Sequence, residues 1–275
     1  MHILALLLVL FCVFREARPS TVYDNIPDSL PTNVPSLGYE ASATTQFGNY
    51  ITLSSATSLC GVSVATVLSA QAAHSDFPSY PTDGWNWNIT LSLYDVDSET
   101  ICDPVIESPV LYQQTNSFFV PWRPPTDPTC GGYDWRDSDG NCHSGVAFEI
   151  VFDLPFDVVH LSPSMVVGIS YNTKDYGFSP VNVSGPYDSL NAGLATSDPT
   201  IGQNTINGTA FLNSSDASSY NDDGAGGVGI FRVDYEWYPY SLLLTIDSDS
   251  CPPTVCTGIP DKRSVPKLNS IVKKA

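Results

Sequence analysis

The segment TCGGYDWRDSDGNCHSG, residues 129–145, gathers two cysteines, three aspartates, a tryptophan, a histidine and four glycines. These are residue types that chemistry uses, and three readings compete for them. Asp137, Asp139 and Asn141 put oxygen donors at alternate positions, as in the first half of a calcium loop, and are the candidate ligands for calcium. An EF-hand would then need Gly at its sixth position and a bidentate Glu at its twelfth, where this chain has Cys142 and Phe148. Zinc would need Cys or His at ligand spacing, and Cys130, Cys142 and His143 form no CxxC pair. The third reading is a stapled loop. A Cys130–Cys142 bridge closes a loop of the size for which about 3 kcal/mol of stabilisation is expected, and the glycines supply its turns. Such a loop either presents Tyr133, Trp135 and its aspartates to a partner or only closes one end of the fold.

No other local pattern nominates a catalytic residue. There is no G-x-S-x-G elbow, and His74, His143 and His160 sit in unrelated contexts. Glycoside hydrolysis needs two carboxyls roughly 5–9.5 Å apart. Glu149 and Asp153 in VAFEIVFDL share a strand face but stand about 13 Å apart along it. Asp234 and Glu236 in FRVDYEWY are about 6.6 Å apart, an admissible spacing, yet with Arg232 they form the polar side of an amphipathic strand. Aromatics in loop-like contexts, Tyr133, Trp135, Tyr220 and Tyr238, are candidate platforms for sugar rings or protein partners.

The elements that would position these residues are β-strands. In GWNWNITLSLY, Trp85, Trp87, Ile89, Leu91 and Leu93 alternate with Asn86, Asn88, Thr90, Ser92 and Tyr94, so the first set faces inward and the second outward. Further strands are predicted in ITLSS, VSVATVLSA, SFFVPW, VAFEIVFDL, MVVGISYN, VGIFRVDYEWY and YSLLLTID, each bounded by turn residues. No segment keeps a capped 3.6-residue apolar period, and Asp outnumbers Glu, so helix should be scarce. The expected fold is an all-β, antiparallel, jelly-roll-like β-sandwich with long loops and disulfides. Residues 1–20 read as a signal peptide cleaved between Arg15 and Ser20, and 21–45 as an extended lead-in. Residues 46–250 read as one sandwich domain, and 251–275 as a Cys-stapled, basic, disordered tail with a possible dibasic cut at Lys262-Arg263.

Removing Cys12 with the signal leaves six cysteines. Six allow 15 connectivities. Loop entropy favours Cys130 with Cys142 and Cys251 with Cys256, leaving Cys60 with Cys102. Sequons occur at Asn88, Asn182, Asn207 and Asn213, and Asn88 falls on the outward face of its strand. The net charge of −18 is uneven. Between Pro19 and Asp261 the only cations are Arg123, Arg136, Lys174 and Arg232, whereas KRSVPKLNSIVKKA at the end is basic. An acidic body disfavours nucleic acid, and no later apolar run is long enough to span a membrane.

Several segments resemble a family of uncharacterised, mainly bacterial secreted proteins: YDNIP and NVPSLGYEA, VPWRPPTDPTCGG, DGNCHSGVAFEI, GISYNT, GPYDSLNAGL and GVGIFR. The resemblance covers most of residues 22–233, with the sequons and basic tail as departures from the pattern. It implies secretion and an all-β domain, and brings no catalytic residue. The expected function is that of an extracellular, non-catalytic glycoprotein acting by surface contact, wall- or matrix-associated or carbohydrate-binding, with a glycan or extracellular protein as partner. The alternative is a carbohydrate-active enzyme, hydrolase or lyase, on a jelly-roll scaffold.

Overall fold

The computed structural model describes residues 20–38, 44–54, 59–95, 110–155, 163–171, 189–205, 209–213, 231–234 and 240–250. Residues 1–19 of the expected signal, the expected tail 251–275 with Cys251 and Cys256, and Cys102, Asn182, Asn207, His160, Tyr220, Glu236 and Tyr238 lie outside them. So do the side chains of Cys60, Asn213 and Asp234, whose backbones are described.

Among the described residues, sixteen strands form two seven-stranded antiparallel sheets and a small two-stranded one. One large sheet contains β1 (Ser20–Asp24), β2 (Ser36–Gly38), β4 (Leu59–Ala70), β9 (Val146–Asp153), β11 (Leu190–Ala195), β15 (Ser241–Leu242) and β16 (Leu244–Ser250). The other contains β3 (Thr44–Thr52), β5 (Gly84–Asp95), β6 (Val110–Pro121), β10 (Ser164–Tyr171), β12 (Gln203–Asn204), β13 (Thr209–Asn213) and β14 (Phe231–Asp234). The small ribbon pairs β7 (Trp135–Arg136) with β8 (Cys142–His143).

Eight strands make a jelly roll. Their orders are β1-β16-β4-β9 and β3-β10-β5-β6, and every link except β5 to β6 crosses from one sheet to the other. The inward residues of both sheets share one core: Val64, Leu68 and Phe152 meet Ile89, Leu91 and Ile169. Alternation along β5 follows the expectation at Ile89, Leu91 and Leu93, which are fully buried. Ser92 and Tyr94, predicted outward, are buried as well, and Tyr94 Oη donates to Gln46 Oε1. The second face of this sheet is therefore not simply solvated at its centre.

The lead-in assignment for residues 21–45 needs correction. The chain enters the fold at Ser20: β1 pairs with β16, Val22 and Tyr23 belong to the main core, and β2 pairs with β11. Between them, Ile26, Leu30 and Val34 cover Val67 on the other face of β4. Strands of five and three residues separated by prolines are too short to show a period. The YSLLLTID run likewise splits, at Leu243, into β15 and β16.

That split leaves backbone groups inside the protein, and two asparagines satisfy them. Asn49 Nδ2 donates to the Leu242 carbonyl, and its Oδ1 accepts from Leu242 N–H. Asn25 Nδ2 donates to the same carbonyl, while its Oδ1 accepts from Leu244 N–H at 2.6 Å. Asp24 accepts from Thr245, and Tyr23 donates to Asn204. Burial pushes the Tyr23 phenol well above its ordinary pKa. Residues Tyr23-Asp24-Asn25 thus form a closed clasp.

Candidate functional site

The loop between β6 and β9 is built as two turns held by one arginine and one disulfide. In the first, Asp127 Oδ1 accepts from the backbone N–H and hydroxyl of Thr129. In the second, Asp137 Oδ1 accepts from the N–H groups of Asp139 and Asn141, and Gly140 takes a φ of 90° that an L side chain resists. Arg136 ties the turns together, donating to Asp127 Oδ2, Thr129 Oγ1 and the Gly140 carbonyl. Cys130 and Cys142 are bridged, with Cα atoms 5.8 Å apart. The pairing expected from their spacing is present.

The loop is pinned to the sandwich by Trp135 and Gly145. Trp135 is 7% exposed, and its indole N–H donates to the Gly145 carbonyl at 3.0 Å. Gly145 passes so close to β4 that a Cβ there would collide with Ser69 Oγ. Trp135 is consequently not a platform for a partner. It turns inward because a carbonyl and the edge of the core are there to receive it. Tyr133, the other proposed platform, is 83% exposed.

Asp137, Asp139 and Asn141 do share one turn. Asp137 Oδ2 also accepts from Asn141 Nδ2 and pairs with His143 Nε2 at 2.7 Å, so four donors already engage its carboxylate. The His143 bond, helped by the Asn141 and Asp139 donors, holds the Asp137 carboxyl down at about 2. The two hydrogen bonds from Thr129, reinforced by Arg136, lower the pKa of Asp127 in the same way. A calcium ion here would have to displace backbone donors. Among the described residues no group of three or more His, Cys, Asp or Glu side chains is placed to hold a metal. His143 is half-buried between Asp137 and the Trp135 ring.

Beside this loop lies a cleft of about 390 Å³ lined by Gln71, Asp76, Arg123, Tyr133, Asp134 and Ser144, among others. It sits at the end of the sandwich where β4 and β6 leave and β5, β9 and β11 begin. Arg123 is its keystone. Its side chain is 3% exposed, and Nε donates to the Gln71 carbonyl at 2.6 Å. Nη1 reaches the Pro124 carbonyl at 2.9 Å, whereas Nη2 has a Thr126 hydroxyl at 3.4 Å and the Asp76 carboxylate at 4.0 Å. Its backbone N–H also bonds the Ala72 carbonyl, locking residues 71–73 to the start of the loop.

One wall is the short turn His74–Asp76, braced by stacked aromatics. Trp122 lies parallel to Phe77 and packs against Trp85, while its indole N–H caps the Pro81 carbonyl. The opposite wall carries Tyr133 and Asp134, fixed by hydrogen bonds from Thr126 Oγ1 to the Tyr133 carbonyl and from Asp127 N–H to the Asp134 carbonyl. The Asp134 carboxylate has no hydrogen-bond or ionic partner among the described residues. Asp76, Asp134, Arg123, Gln71 and Tyr133 therefore line one opening, with the Gln71 amide already donating to Ser36 Oγ.

Sequence reasoning reached the loop but missed Gln71, Asp76, Arg123 and Asp134 as a group. The available signal was Arg123, a lone cation between Trp122 and Pro124-Pro125 in an otherwise acidic chain. Elsewhere, Asn88 is exposed on β5 as expected, and Glu149 and Asp153 are exposed on β9. No helix among the described residues is long and apolar enough to cross a membrane.

No protein-family model matches this chain, and neither a curated protein nor a solved structure matches it. Function must accordingly be argued from the site itself.

Proposed function

We propose that this is a secreted, non-catalytic glycoprotein that binds carbohydrate in the cleft between the His74–Asp76 turn and the stapled loop. The observation that carries the reading is that the exposed Tyr133 lines the same opening as Asp134 and Asp76. A sugar ring presents an apolar C–H face that stacks on an aromatic, and hydroxyls that need acceptors and donors at its rim. The cleft offers both. Its lining is held by Arg123 and the disulfide, so little ordering entropy is lost on binding.

An extracellular setting is supported by the apolar N-terminal run, by the disulfide and by the exposed sequon at Asn88. The test is retention on a panel of immobilised neutral, acidic and amino polysaccharides. The wild type should be retained on at least one, with Tyr133→Ala weakened about tenfold or more and the melting temperature unmoved. Retention on none of them sinks the reading.

The rival, a carbohydrate-active enzyme, draws on one observation, that Asp76 and Asp134 line the same opening. Incubation with any retained polysaccharide decides between the two. The binding reading predicts no new reducing ends and no unsaturated sugar product, and sustained release of either would establish the enzyme.

A further inference from the structure

We infer that the cleft selects a glycan carrying free amino groups, a polymer of 2-amino sugars, over its N-acetylated or neutral counterpart. The inference rests on the carbohydrate-binding reading and assigns the ligand class at that same site.

Charge on the cleft is one-sided at the positions a ligand can reach. The Asp76 side chain is 54% exposed, and the half-buried Asp134 carboxylate lacks a partner among the described residues. Both line the opening. The cations nearby are engaged elsewhere. Arg123 is buried and spends its donors on Gln71, Pro124 and Thr126, and Arg136 spends its own on Asp127, Thr129 and Gly140. An anionic sugar would meet two carboxylates and no available guanidinium edge other than Nη2 of Arg123, beside which Asp76 already stands.

A protonated amine fits this arrangement from two directions. It is drawn to a carboxylate that has no other partner, and it is stabilised over the face of an exposed aromatic ring, here Tyr133. The chain's net charge of −18 adds a long-range attraction that raises the local concentration of a polycation. N-acetylation removes the amine's charge and with it each of these contributions, while leaving the pyranose ring to stack.

The experiment compares binding of one polysaccharide backbone in its deacetylated and N-acetylated forms at pH 5.5, at 20 mM and 500 mM NaCl. The full chain is used as wild type, Tyr133→Ala, Asp134→Asn and Asp76→Asn, with polylysine as a control polycation. The expected result is at least tenfold tighter binding of the deacetylated form at low salt, shrinking to about threefold or less at high salt. Asp134→Asn should narrow the low-salt preference at least threefold without weakening the N-acetylated form, and Tyr133→Ala should weaken both. Equal binding of the two forms, or preference for the N-acetylated one, overturns the amine inference and leaves carbohydrate binding standing. Binding of neither form nor any other glycan overturns both. Polylysine bound as tightly as the amino sugar polymer, and indifferent to Tyr133→Ala and Asp134→Asn, reduces the preference to diffuse charge attraction and overturns the inference.

Discussion

Two polar regions of this molecule are built from similar residues to opposite ends. At the clasp, Tyr23, Asp24, Asn25 and Asn49 surround the break between β15 and β16, and their polar atoms meet partners inside the protein. At the cleft, Asp76, Asp134 and Tyr133 face an opening, and only Arg123 behind them is fully enclosed. A buried polar group that is satisfied internally has nothing left to offer a ligand, and its value lies in fixing the fold. A group such as the Asp134 carboxylate, unpartnered among the described residues and held on a rigid support, is the kind that can recognise something, whereas Asp76 already accepts from Ala73 N–H and faces Arg123. Saturation with partners separates the two better than residue type does.

The comparison can be broken by substitution. The largest expected effect is at the staple. Replacing both Cys130 and Cys142 by Ser should cost about 3 kcal/mol in denaturant unfolding, by releasing the closed loop in the unfolded chain. It should also weaken glycan retention, because Tyr133 and Asp134 lie inside that loop. Asn25→Ala comes next. It leaves Leu244 N–H buried without its acceptor and should cost about 1–3 kcal/mol. Retention measured on the folded fraction should be unchanged. If it fell together with stability, clasp and cleft would not be the separate devices described above.

Tyr133→Ala inverts that pattern, with stability within about 0.5 kcal/mol of wild type, as for an ordinary exposed position, and retention lost. The smallest effect concerns acid. Because the folded Asp137 carboxyl lies near 2, below the ordinary value near 4, the fold stabilises its ionised form. That contribution is fully present above about pH 4 and disappears as pH falls through about 2. Asp137→Asn should therefore lower the melting temperature at pH 7 and flatten its fall between pH 4 and pH 2, so that variant and wild type converge near pH 2. Chelator should leave the melting temperature of the wild type within about 1 °C, since four hydrogen bonds already occupy that carboxylate.

Much of the scaffold was legible as sequence because long half-buried strands write a two-residue period. β5 and β9 show it, and β5 and β6 pair across Gly84 to Tyr94. β11 was not legible. LNAGLA lacks β-branched residues, and Gly193 is there because a side chain would strike the Val67 carbonyl of the neighbouring strand. β1 and β2 were hidden by brevity and by proline. The disulfide was legible from spacing, since partners twelve apart meet readily. Trp135 and Tyr133 could not be told apart, because a loop has no period to say which ring turns inward. The cleft itself joins residues 71, 72, 76, 123, 133, 134, 144 and 189, positions that only the crossings of the jelly roll bring together.

The most direct test of the account is glycan retention by two variants side by side, Tyr133→Ala and Asn25→Ala, with melting temperature recorded for each. The account predicts that Tyr133→Ala loses retention about tenfold or more and melts as wild type, whereas Asn25→Ala melts lower and, while folded, is retained as wild type. A Tyr133→Ala protein that is retained undiminished would contradict it.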